Sequence, residues 1–406
     1  MTARCLDLTR LVSRAGLGPP TGVDRVELAY LDALLARPEP LFALCRLALG
    51  FALLDRAGAA ALRARIAGQA PWGRGDIIGQ LSRRLAPARR RAEADVRRLS
   101  RATCLRRGLG ALAQRGLPPG TLYLNTGHSN LDAATFGALR SVPELRIAVL
   151  VHDTIPLDFP GYQRPGTPAA FEKRMRAVSA HADTVICNSR QTEADVQRHF
   201  TGFGRVPPCV TAHLGIDPPR PDASALPATL DPARPRFVAV GTIEPRKNHA
   251  LLLDLWDRMA AEEGAGAIPD LWIVGRRGWN NEAVFARLDA SPLRGLRIHE
   301  TGTLDDGGMA ALVQGAAALL FPSHAEGFGL PPVEAAALGT PVVCSPLPVL
   351  QEVLGDFPVY AEATDLYAWR NEVKRLAKAQ RDGIRPQAEQ PPTWEAHFNH
   401  VLNRLR

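Results

Sequence analysis

Glu326 and Glu334 stand at the two ends of the string Glu326-Gly327-Phe328-Gly329-Leu330-Pro331-Pro332-Val333-Glu334. A Gly-Phe-Gly turn and a Pro-Pro pair that can open a helix lie between them. The apolar run from Ala316 to Phe321 upstream reads as a buried strand, so the order is strand, glycine turn, helix. Such a turn leaves free backbone N–H groups at a helix N-terminus, where an anion or an oxygen-rich ligand is favoured. Glu334 falls about two turns into that helix. A carboxylate on each side of the turn can grip hydroxyls at both ends of a sugar nucleotide, one holding the transferred sugar and the other the ribose. Placement for the helix macrodipole would account for a lone glutamate, but not for the whole string.

A second half-site is Val240-Gly241-Thr242-Ile243-Glu244-Pro245-Arg246-Lys247-Asn248. It follows a strand and opens a helix, with Gly241 in the turn. Arg246 and Lys247 at a positive helix end make a diphosphate clamp; the alternative is a solvated basic cap. In the first half of the chain, Val149-Leu150-Val151-His152-Asp153 is an apolar strand ending in His-Asp. The carboxyl end of a strand is where α/β sheets place chemistry. His152 could orient a sugar and respond to charge at physiological pH, and Asp153 could orient its ring or cap the next element.

The string from Ser323 to Glu334 resembles the E-x7-E motif of retaining glycosyltransferases of the GT-B fold, family 4. The resemblance implies that Glu326 contacts the donor sugar and Glu334 the ribose hydroxyls, with N–H groups of Phe328, Gly329 and Leu330 supporting sugar and phosphate and Gly327 also at the donor. Gly241 to Asn248 resembles the family's donor-phosphate loop. Lys247 matches the family lysine, whereas Thr242 stands where the family has arginine, so Arg246 is expected to substitute. Glu-Pro-Arg-Lys-Asn and Arg277-Gly278-Trp279 resemble a mannosyltransferase-like branch. His152 matches the family histidine that contacts the donor sugar. Thr21-Gly22-Val23-Asp24-Arg25 resembles the N-terminal glycine loop, with Gly22 near the donor and Asp24 replacing a second glycine. Gly302-Thr303-Leu304 is either a backbone contact to the base or an ordinary turn. Ser189 is either part of a family turn or a plain N-cap. At Gln351-Glu352-Val353 the family has proline in the first position.

The elements around these motifs alternate. Strands are expected at Cys5–Leu8, 122–124, 147–151, 184–187, 236–240, 271–274, 296–299, 318–321 and 342–344. Helices are expected at 23–36, 248–261, 282–288, 309–315, 332–338 and 394–405, with a loop following Leu376. Leu41 to Leu54 reads as two short strands joined by a turn. Strands alternating with helices imply parallel sheets. With 406 residues, two domains are the default. The expected fold is GT-B, two Rossmann-like domains with parallel sheets facing a central cleft: an acceptor domain over 1–220, a donor domain over 221–390, and a terminal helix over 391–406 crossing back to the first.

Net charge is +8, which suits an anionic partner without selecting one. Six dispersed cysteines with no C-x2-C pair read as free thiols, not a disulfide framework or zinc site. The first ten residues carry Arg4, Asp7 and Arg10 and lack a signal-peptide core; no apolar run of about 18 residues suggests a membrane span. The expectation is a cytoplasmic protein, peripheral at the inner face of the membrane. Arg83 to Arg107 holds ten arginines and two acids, and reads either as a basic amphipathic helix on an anionic membrane surface or as a solvated basic face. No aromatic stacking pattern points to nucleic acid.

The expected reaction moves a hexose, mannose from GDP-mannose first, from a nucleotide diphosphate sugar to a glycan or lipid-linked acceptor in surface polysaccharide biosynthesis. The resemblance implies retention at the anomeric carbon with no metal and no cofactor beyond the donor. His152, Glu326, Arg246 and Lys247 are the expected catalytic residues. The rival readings are a GT-B sugar-nucleotide epimerase and a non-catalytic, membrane-associated GT-B binding module.

Overall fold

The structure, a computed structural model, describes residues 2–82, 84–302 and 304–405. Eight strands form the first sheet: β1 (Arg4–Asp7), β2 (Leu41–Leu47), β3 (Gly50–Asp55), β4 (Ala102–Cys104), β5 (Leu122–Asn125), β6 (Arg146–Val151), β7 (Thr184–Cys187) and β8 (Cys209–Thr211). Their order is β4-β3-β2-β1-β5-β6-β7-β8. Six strands form the second: β9 (Arg236–Val240), β10 (Asp270–Val274), β11 (Ile298–Thr301), β12 (Ala318–Phe321), β13 (Val342–Cys344) and β14 (Val359–Tyr360), in the order β11-β10-β9-β12-β13-β14. The second sheet is parallel throughout. The first is parallel except at one edge, where β2, β3 and β4 run antiparallel. Central strands such as Arg146–Val151 and Ala318–Phe321 are near-continuous apolar runs because helices cover both faces. The helix Gly22–Leu35 buries Val26, Tyr30, Leu31 and Leu34, and His249–Glu263 buries Leu252, Leu255, Trp256 and Met259.

The last helix, Trp394–Arg404, lies on the first unit. Its His397 Nε2 is 2.8 Å from the Tyr30 hydroxyl, Phe398 packs edge-on against Tyr30, and Ile216 N–H donates to Pro392 O before it.

Some boundaries differ from the sequence reading. The strand expected at 296–299 starts at Ile298, because Leu293 O accepts hydrogen bonds from Leu296, Arg297 and Ile298 and keeps the preceding residues in a turn. The helix expected from 309 begins at Asp306, capped by the Asp305 carboxylate on Gly308 N–H at 2.7 Å. Leu366–Arg381 runs five residues past Leu376, where the loop was expected. β4, β8 and β14 are too short to show a period of two. The stretch from 84 to 107 is not one helix: Pro87–Leu99 ends, β4 follows, and Arg106–Gly108 is a separate turn. Several of its arginines are paired: Arg97 with Asp76 at 2.6 Å, Arg98 with Asp95 at 2.6 Å and Arg89 with Glu93 at 3.1 Å. Glu93 and Asp95 are buried beneath them. Arg83 lies outside the described residues. Among those described, no helix is long and apolar enough to cross a membrane.

Candidate active site

The segments leaving the carboxyl ends of the two sheets meet. After β9, Gly241 adopts φ 140°, a backbone conformation that a side chain disfavours. The chain then makes a single turn, Pro245–Lys247, before Asn248 (φ 52°) starts the next helix. This turn aims Arg246 and Lys247 at Glu326. Lys247 Nζ lies 2.6 Å and Arg246 Nη1 2.8 Å from Glu326 Oε1. Arg246 also reaches Glu244 Oε1 at 2.7 Å and donates to Ala325 O at 2.9 Å. Lys247 sits 4.1 Å from the centre of the Phe321 ring. It is 8% exposed, so the pair is not a solvated basic cap. Thr242 is half-buried, its methyl group beside Gly278. Arg246, not position 242, supplies the guanidinium.

The charges are strongly coupled. Burial alone would raise the Glu326 carboxyl, but Arg246 and Lys247 outweigh it and hold the group at about 2. Burial lowers Lys247 to about 8 despite Glu326. Burial also raises Glu244, partly offset by Arg246. The cluster is thus a buried, near-compensated group of two cations and two acids.

Beyond Glu326 the backbone turns through Gly327, Phe328 and Gly329, whose φ is 85°, into the helix Leu330–Ala337 with both prolines in its first turn. A Cβ on Gly327 would collide with His152 O and lie 2.9 Å from Asp153 Cβ. The glycine is what lets the two units touch here. On the helix, Glu334 meets Arg25 Nη1 at 2.5 Å. Burial raises Glu334 and Arg25 counters it. Gly22 begins the helix that carries Arg25, and a Cβ on it would lie 2.9 Å from Leu330 Cδ1. Asp24, in place of the family's second glycine, closes a capping box with Thr21 and binds Arg10 at 2.7 Å.

His152 follows β6, 7% exposed, with Nε2 2.7 Å from Thr126 O. That carbonyl can only accept, so Nε2 carries the proton and Nδ1 is left as acceptor. Burial pushes the imidazole down to about 4. The expected response to charge at physiological pH is therefore corrected: the ring is neutral there. Asp153 does not orient the ring. It accepts from Ile155 N–H at 3.1 Å as a local cap, and burial raises it to about 6 against the pull of Arg246. Ser189 is an N-cap, accepting from Thr192 N–H at 3.0 Å.

Other contacts tie the units together. Trp279 Nε1–H donates to Tyr162 O at 2.9 Å and Asn280 to Gln163 O at 2.7 Å. Glu352 accepts from Arg190 N–H at 2.9 Å and lies 2.8 Å from His213 Nε2. Glu352 thus caps a helix of the opposite unit, although Gln351 replaces the family's proline. Burial raises its carboxyl, but these hydrogen bonds outweigh that and leave it lowered. Such a group stabilises above its unfolded pKa and loses that contribution as pH falls through the folded one. We expect Glu352→Ala to cost about 1 kcal/mol at pH 7, as a lost N-cap does. Denaturant titrations at pH 7 and pH 3 should show the deficit at the first and a smaller one at the second.

Thr303 lies outside the described residues. The sequence reading missed Glu244, although it stands in the quoted loop. It also missed His128 and Asn130, which follow β5 and have φ of 57°. The strand-end rule that selected His152 would have found both.

Residues 234–379 match the family model described as glycosyl transferases group 1. The serotype-specific mannosyltransferase WbdA of Escherichia coli is 33% identical over 272 residues, covering 63% of this chain and 33% of that protein. The O-antigen chain mannosyltransferase B of Escherichia coli is 35% identical over 129 residues, covering 32% of this chain and 33% of that protein. The chain therefore spans about a third of the length of these relatives. Among solved structures, sucrose-phosphate synthase from Thermosynechococcus elongatus aligns with a TM-score of 0.62 at 18% identity, covering 100% of this chain and 99% of that one. Anabaena HepE in complex with UDP aligns at 0.60 and 16% identity with the same coverage. The fold is the GT-B arrangement of two facing α/β units.

Proposed function

We propose, for a GT-B chain whose residues 234–379 are a glycosyl transferases group 1 domain, that it moves a hexose from a nucleotide diphosphate sugar to a glycan or lipid-linked acceptor. The observation that carries this reading is the buried Glu326–Arg246–Lys247 cluster held against His152 through Gly327. Residues 221–390 would hold the donor and residues 1–220 the acceptor. Lys247 and Arg246 would neutralise charge developing on the leaving diphosphate, the main electrostatic task of such a transfer. Leaving-group diphosphate would take over the cations from Glu326, freeing that carboxylate for sugar hydroxyls. Glu334 would exchange Arg25 for the ribose hydroxyls. The Nδ1 of neutral His152 would accept from a sugar hydroxyl. Gly241, Gly329 and Leu330 would bring backbone close to the phosphates, with Gly22 approaching from the other unit.

The relatives' names favour mannose as the sugar and surface polysaccharide as the setting; GDP-mannose is the donor to test first. With two cations and a helix N-terminus facing the leaving group, the reading assigns no metal to the reaction. It also takes the transfer as retaining and places the enzyme in the cytoplasm, against the membrane's inner face. The test is incubation with radiolabelled GDP-mannose and lipid and glycan fractions, followed by product analysis. A labelled α-mannoside supports the proposal; a changed sugar nucleotide without a glycoside supports the epimerase; no turnover with any donor supports the binding module.

Lys247 also sets a pH limit. The diphosphate needs it charged, the charged form holds below about 8, and kcat/KM reports free enzyme. The expected profile falls tenfold per pH unit above about 8. In Lys247→Arg that limb moves beyond the alkaline range. An unchanged limb in the variant would assign it to another group.

A further inference from the structure

We infer that the cavity beside His128 is a subsite for a phosphorylated acceptor. The inference rests on the transferase reading and names the chemistry of its second substrate. The cavity has a volume of about 840 Å³ and opens among the segments following β1 and β5, the end of β2 and the helix Thr167–His181. Six cationic side chains line it against a single carboxylate, Asp132, among the described residues. Arg10 and Arg14 share Asp24, at 2.7 and 3.0 Å. Arg46, Lys173 and Arg174 have no carboxylate partner among the described residues. An unneutralised set of this kind favours a ligand bearing more than one negative charge.

The cavity floor adds a second, independent feature. Asn130 is 6% exposed, and its amide nitrogen donates to Asp7 at 2.7 Å and Thr9 at 2.8 Å. These acceptors fix the amide, and its Oδ1 is left buried with no hydrogen-bond partner among the described residues. A buried acceptor without a donor is unfavourable unless a ligand hydroxyl completes it. His128 and Asn130 both hold φ of 57°, a conformation that non-glycine residues keep mainly where surrounding structure enforces it, often at functional sites. The His128 ring lies 5.0 Å from that of His152, so a ligand filling the cavity ends beside the reacting sugar. Multiple cations with a hydroxyl acceptor specify a phosphorylated or diphosphorylated sugar rather than a neutral one.

The test uses inorganic pyrophosphate titrated calorimetrically at low salt. The donor clamp would bind it too, so the measurement is made in Lys247→Ala and again after adding Lys173→Ala and Arg174→Ala. Both added positions are exposed on a helix surface, so the fold should be kept; circular dichroism checks this. We expect Lys247→Ala to bind pyrophosphate and the triple variant to bind it at least tenfold more weakly. No binding by Lys247→Ala, or equal binding by the triple variant, would overturn the inference. Failure of donor binding in the wild type would leave this result intact, because no nucleotide is used. A second arm compares farnesyl diphosphate with pyrophosphate: tighter binding of the former assigns the group to a lipid-linked acceptor, equal binding to a soluble one.

Discussion

Replacing Glu326 with alanine is expected to remove transferase activity and destabilise the fold together. The side chain, 7% exposed, is held between Arg246 and Lys247, with one oxygen accepting from both. Deleting it leaves buried Lys247 without its ion-pair partner and half-buried Arg246 with Glu244 and Asp153. Removing one partner of a buried charge pair typically costs about 3–5 kcal/mol, because the other charge stays desolvated. Denaturant melts should show that loss in Glu326→Ala and a smaller one in Glu326→Gln, which keeps the shape and an acceptor. The sign with pH follows from the lowered carboxyl: its contribution is full above about 4.5 and disappears as pH falls towards 2. The gap between wild type and Glu326→Gln should therefore close in acid. A wild-type melting temperature in Glu326→Ala would mean that the cluster does not hold the loops together.

A single methyl group at Gly327 is expected to have the second-largest effect, through geometry alone. It would meet His152 O and Asp153 Cβ of the first unit. The β12 turn would have to withdraw from the first sheet, carrying Glu326 away from His152. Misplacement of reacting groups by about 1 Å can cost roughly a hundredfold in rate. Gly327→Ala should thus lower kcat/KM by about that factor while nucleotide affinity, read by calorimetry, changes little, since Lys247 and Glu334 belong to the second unit. Equal loss of both would show that the turn binds nucleotide directly and that placing Glu326 against His152 is not its main role.

Much of the second unit was legible because its strands are buried on both faces and read as uninterrupted apolar runs. Turn glycines at 241 and 329 and the prolines at 331 and 332 then marked where loops become helices. Arg246 and Lys247 were found for the same reason: a strand end and a helix start bracket them. What escaped was long-range. Nothing in the local sequence said that Arg25 would meet Glu334, 309 positions away in the chain, or that Glu352 would cap the helix at Arg190. His152 was located correctly but its protonation was not, because burial and the Thr126 carbonyl decide it. In the Arg83–Arg107 stretch, composition did not show which charges are paired. Its acids, few in number, are buried beneath its arginines, and a strand interrupts the expected helix.

The central claim is that a nucleotide sugar binds across the cluster at Glu326 and the helix at Glu334. Calorimetric titration with GDP-, UDP-, dTDP- and ADP-sugars tests it most directly, with Lys247→Ala and Glu334→Ala beside the wild type. The account predicts selective binding of one nucleotide class, GDP-mannose first, with affinity lost in both variants and a matching rise in wild-type melting temperature on saturation. Binding that persists unchanged in both variants, or no binding of any of the four, would contradict it.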